Sequence, residues 1–173
     1  MRDFIYQIMT DYTNLVIFLH VIGAVMWVGG MMAILVITKT AHKTVSDERR
    51  LVGRAALIKS YFKFLSPFIL LSLITAIFMA LGYKDNAIAE DGFIIDFQSM
   101  EIYKNITLKG SIWGAMVMNM ILMLWIVSKA EADGCKVQKA TDCMWLVNTY
   151  LLPINILMGM AAIYVGVSIR HAF

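Results

Sequence analysis

Charge is scarce in this 173-residue sequence: Asp, Glu, Lys and Arg together make up 16%, against about 25% in soluble domains. Such a chain is neither an ordinary water-soluble globule nor a disordered segment. Two prolines and eleven glycines exclude collagen-like and low-complexity chains. Two cysteines are too few for a disulfide scaffold. A net charge of +3 points to no nucleic-acid partner. No strict apolar–polar alternation is present, so a β-barrel is disfavoured. Hydrolase triads, phosphate loops and dinucleotide fingerprints are missing as well.

What the chain does have is apolar length. Hydrophobic residues make up 60% and the mean hydropathy is +0.73. Four apolar runs, at about 15–38, 61–82, 106–128 and 144–169, each approach or exceed the ~20 residues that a helix needs to cross ~30 Å of hydrocarbon. Lipid offers backbone groups no partner, so the runs are helices. The expectation is an all-α membrane protein, a four-transmembrane-helix up-and-down bundle forming a single domain over 1–173. Pro153 should kink the fourth helix. The first run is too long for a signal-peptide core and reads as a retained helix.

Charge sets the orientation. The first connection carries Lys39, Lys43, Arg49, Arg50, Arg54 and Lys59, whereas the second is mainly acidic, with Asp85, Glu90, Asp91, Asp96 and Glu101. Basic loops stay in the cytoplasm. The expected location is therefore a bacterial inner membrane, with both termini periplasmic. A short amphipathic segment is expected near Phe93 and Phe97. Tyr61, Tyr83, Tyr103 and Trp145 fit an interfacial belt.

Ionisable groups within spans are costly and mark candidate sites. His20 lies five residues into the first span, about 8 Å deep at 1.5 Å per residue. Lys109 opens the third span, and Arg170 and His171 close the fourth. The expected topology gathers all four at the outer end of the bundle. His20 also heads a stripe of Gly23, Trp27 and Gly30, spaced three and four residues apart. Glycines there would admit something flat against the backbone, and a neutral imidazole at the head of such a groove suits a haem iron. Lys109 and Arg170 could then pair with haem propionates, and His171 is the candidate second ligand. Interhelical hydrogen bonding by His20 and glycine-mediated packing explain the same residues without a cofactor. His42, 22 residues from His20 and so about 33 Å away along a helix, cannot share a metal with it.

Fourteen methionines are present, and Met116, Met120 and Met123 share one helix face. Thioethers suit Cu(I), but methionine is also a common core filler. Asn119, Asn148 and Asn155 read as interhelical hydrogen-bond partners. Cys135 and Cys143, with seven residues between them, match no strong metal motif.

The run Leu19-His20-Val21-Ile22-Gly23-Ala24-Val25-Met26-Trp27-Val28-Gly29-Gly30 resembles the first-helix signature of the CopD/HemJ-like membrane proteins, with His, then Trp seven positions on, then Gly three further. Phe62, Pro67 and Thr75 resemble that family's second helix, and Thr107-Leu108-Lys109-Gly110 its lysine-bearing third. The resemblance implies a haem- or metal-ligand role for His20 and a functional polar role for Lys109. Ala33, Ile34, Leu35 and Val36 stand where the HemJ branch carries Tyr-Leu-Pro-Arg.

The leading expectation is a b-type haem protein in electron transfer or redox chemistry. It would bind haem b through His20 near the outer face, with Gly23, Trp27, Gly30, Lys109 and Arg170 around it. Copper handling, as in the CopD branch, is one alternative. Protoporphyrinogen IX oxidation, the HemJ activity, is another, and would make the chain an oxidoreductase enzyme. Expected partners are the lipid bilayer and a redox protein; homodimerisation stays open.

Overall fold

The computed structural model describes residues 2–40, 47–86, 101–132 and 137–170. All of them are helical: α1 (Arg2–Thr40), α2 (Asp47–Asn86), α3 (Glu101–Ala132), α4 (Val137–Leu146) and α5 (Leu152–Arg170), the last two joined by a π-helical turn at Val147–Leu151. There is no strand among the described residues. Four stretches are long and apolar enough to cross a membrane: Asp11–Thr40, Gly53–Gly82, Tyr103–Ala130 and Asp142–Ile169. At 28–30 residues each they reach about 42–45 Å, beyond the hydrocarbon and into the headgroup region.

Several helix ends and interruptions have a local cause. α1 bends at Tyr12, whose φ of −128° and ψ of 23° leave the helical region. At the other end of α1, carbonyls have no intrahelical donor, and the Arg54 guanidinium of α2 donates to Thr38 O at 2.8 Å. Pro67 has no N–H to offer the carbonyl of Lys63; Ser66 Oγ donates to it instead, at 2.9 Å. Pro153 interrupts the fourth span in the same way. The sequence predicted a kink there; the structure holds a π turn just before the proline, closed by Leu152 N–H donating to Val147 O.

α1 packs antiparallel on α2, and α3 on α5, and these two pairs join into a four-helix up-and-down bundle. The fully buried side chains, among them Met31, Ile58, Leu65, Met123, Leu152 and Val147, run along the axis from the end where α1 turns to α2. Met116 and Met123 are part of this apolar core, with Met120 packed against it. Phe18, Val36, Met118, Leu157 and Tyr164 point outward, 60–74% exposed. Apolar surface of that extent is untenable in water and costs nothing in lipid.

Two amides, Asn155 buried and Asn119 half-buried, clasp α3 to the fourth span, as the sequence reading expected of them. Asn119 Nδ2 donates to Leu151 O at 2.8 Å and Asn155 Nδ2 to Met116 O at 3.0 Å. They differ in one respect: Asn155 Oδ1 is buried with no partner. Asn119→Leu is therefore expected to cost about 0.6–1.7 kcal/mol, the range for such bonds in membranes. Asn155→Leu should be nearly neutral, because it removes an unsatisfied acceptor along with the bond. Thermal unfolding in detergent would separate the two.

Candidate functional site

At the end of the bundle that carries the chain termini, the apolar core gives way to polar groups. His20 and Lys109 are half-buried here, on α1 and α3. Lys109 on α3 lies within electrostatic reach of His20 on α1. It rests against α5, where a Cβ on Gly166 would meet Lys109 Nζ at 2.8 Å. Three helices thus meet at one level, and α2 supplies the fourth side.

α2 holds the imidazole. His20 Nδ1 lies 3.0 Å from Thr75 Oγ1 and 3.2 Å from Ser72 O. A carbonyl oxygen can only accept, so Nδ1 carries the proton. The Thr75 hydroxyl donates back along its own helix, to Leu71 O at 2.8 Å and Ser72 O at 3.1 Å, which leaves its lone pair to accept from Nδ1–H. The tautomer is thereby fixed, with the free lone pair on Nε2. Metal-binding histidines are commonly held in this way, by a partner on the ring nitrogen that does not bind the metal.

The Gly23–Trp27–Gly30 stripe lies against α2, whose side chains fill its notches. A Cβ on Gly23 would collide with Ser72 Oγ, and one on Gly30 with the hydroxyl of Tyr61. Tyr61 lies there because its hydroxyl donates to Met26 O at 2.8 Å and Trp27 O at 2.9 Å. It is thus a bridge between α1 and α2, not the interfacial belt residue that its place near a span end implied. Trp27 is 3% exposed and meets Trp113 edge to face, with ring centroids 6.3 Å apart and planes at 82°. By contrast, Gly110 and Gly114 on α3 have open space where a Cβ would stand.

Of the other expected residues, Arg170 ends α5, while His171, His42, Cys135 and the segment around Phe93 and Phe97 lie outside the described residues. Cys143 is a half-buried free thiol. Sequence reading passed over the support that Thr75 and Ser72 give to His20. The Thr75 hydroxyl on an apolar helix was the available signal; Ser72 contributes only its backbone carbonyl.

The fold and site together define a multi-pass membrane protein: four helical spans around a histidine and a lysine near one end. No family model, characterised protein or solved structure matches the chain.

Gly166 offers a mild way to disturb the site. Gly166→Ala would press on the tip of Lys109, a flexible side chain that can yield. The expected stability change is within about 0.5 kcal/mol, with Lys109 displaced from His20. Thermal unfolding, with a lysine-specific labelling rate for Lys109, would show both effects.

Proposed function

We propose that this chain is a b-type haem protein of a bacterial inner membrane, with His20 Nε2 as an iron ligand. The observation that carries the reading is the occupied Nδ1: with Thr75 and Ser72 holding its proton, His20 presents a neutral imidazole with one lone pair free, the form that binds iron. The residues present fit the group. Lys109 supplies a cation beside His20 for an acidic propionate, and Arg170 at the end of the same bundle is the second candidate. The glycines act indirectly. Gly23 and Gly30 let α2 approach closely enough to orient His20, and Trp27 belongs to the floor of the site.

Bound haem would supply one-electron redox chemistry. The chain's own residues hold the ligand nitrogen in one tautomer and place positive charge beside it. The basic connection between α1 and α2 supports a cytoplasmic position for that end; His20 would then face the periplasm, where a redox partner protein would exchange electrons. The resemblance to CopD/HemJ-like proteins agrees with this reading and does not carry it.

The test is the optical spectrum of detergent-purified protein expressed with haem supply, oxidised and then reduced with dithionite. A Soret band with sharp reduced α and β bands is expected. A featureless spectrum from folded protein overturns the reading; stoichiometric copper in that sample would favour the copper-handling alternative. Rescue of a strain lacking its own protoporphyrinogen oxidase would favour the enzymatic one.

A further inference from the structure

Just below His20 and Lys109, the bundle buries two hydrogen-bond donors that it does not use. Trp27 Nε1 and Trp113 Nε1 are both sealed from solvent and have no acceptor. A buried donor without a partner is costly, and native interiors rarely tolerate one unless a ligand, ion or water completes it. Here two stand together. The two rings meet edge to face with centroids 6.3 Å apart, so both donors belong to one aromatic contact between α1 and α3.

An unused acceptor accompanies them. Asn155 Oδ1 is buried and unpartnered, and the same amide reaches Met116 O, three residues beyond Trp113. On the α1 side, Val28, next to Trp27, touches Gly159 of α5 together with Met116. The three orphaned groups therefore lie on neighbouring turns of α1, α3 and α5, where these helices meet. None of them is charged. A carboxylate or phosphate would be drawn to Lys109 instead, so two indoles and an amide select a neutral partner.

We propose that the Trp27–Trp113 pair and Asn155 form a binding site for a membrane-soluble quinone. Quinone oxygens accept from indole N–H groups, and the hydroxyl of the corresponding hydroquinone donates to an amide oxygen. Both forms dissolve in the hydrocarbon that surrounds the bundle, and the aromatic edges suit a flat ring. This site is separate from the iron ligand: Nε2 of His20 takes no part in it.

The experiment reads the indole N–H resonances directly. The chain has four tryptophans, and two of them, Trp125 and Trp145, are 59% and 56% exposed and serve as reporters of the surrounding micelle. Full-length protein with ¹⁵N-labelled tryptophan is titrated with decylubiquinone in detergent, with and without haem loading. A saturable shift of the Trp27 and Trp113 N–H signals, with Trp125 and Trp145 unmoved, is expected. Trp113→Phe keeps an aromatic ring but loses one donor, and should weaken binding about ten-fold. Trp27→Phe should do the same, and Trp113→Phe alone suffices if Trp27→Phe does not fold. Four signals drifting together without saturation would mean partition into the micelle only. No shift at all would mean that internal water fills the site. Either result overturns the proposal. Because haem-free protein is titrated as well, a missing Soret band and missing quinone binding are separate failures.

Discussion

His20→Ala protein, prepared with haem supply beside the wild type, is expected to lose the Soret band completely while keeping its helical circular dichroism. Two features make the effect all-or-none. Alanine offers no lone pair to iron, and the half-buried position of His20 on α1 leaves a small void that the site tolerates without unfolding. Thr75→Val is the informative companion. It removes the hydroxyl that accepts from Nδ1 at 3.0 Å but leaves Ser72 O at 3.2 Å, so the tautomer survives with weaker support. Loss of such a supporting partner typically lowers metal affinity 10–100-fold. Haem should therefore bind to Thr75→Val, less tightly and with a shifted midpoint potential. A His20→Ala spectrum identical to the wild type would move the ligand elsewhere and end the assignment.

Gly30→Ala is expected to be strongly destabilising. The added carbon would collide with the Tyr61 hydroxyl and ring. The ring cannot easily retreat, since its hydroxyl is anchored on two α1 carbonyls, Met26 O and Trp27 O, and its face lies against Phe62 with centroids 5.5 Å apart. Overpacking of this kind costs about 1–3 kcal/mol, and losing the hydroxyl bonds adds about 1 kcal/mol. The thermal midpoint in detergent should fall by roughly 4–16 °C, at about 2–4 °C per kcal/mol for a chain of this size. Gly29→Ala is the control: no atom lies within 4 Å of the added carbon, so it should change little. Tyr61→Leu should rescue Gly30→Ala in part, and that non-additivity would locate the collision. Equal effects of Gly29→Ala and Gly30→Ala would argue against the packing described here.

The four spans were legible because apolar length is a one-dimensional property, and a run of twenty such residues has few other fates. Their ends were less so. α2 already begins at Asp47 and its apolar stretch at Gly53, well before the run at 61, because charged residues continue a helix once it has left the hydrocarbon. His20 and Lys109 were legible as costly groups at similar depth. The role of the glycine stripe was not. A close-packed helix and a flat ligand both ask for the absence of a side chain, and only the register of α2 against α1 decides between them. That register pairs His20 with Thr75 and Gly30 with Tyr61, and nothing within α1 alone encodes it.

The π turn at Val147–Leu151 also sets the helical phase of the fourth span. Val147 and Leu152 are both fully buried, yet in an unbroken α-helix a step of five residues would point them about 140° apart. The wider turn absorbs the surplus residue, so the halves on either side present the same flank to the bundle. In effect the sequence carries an insertion of one. Removing a single residue between Asn148 and Leu151 would bring the span back to regular α-helical register with its inward flank preserved. Deletions elsewhere in the four spans would rotate every later residue of that span out of place, which makes this turn the point within the spans where one residue can best be lost.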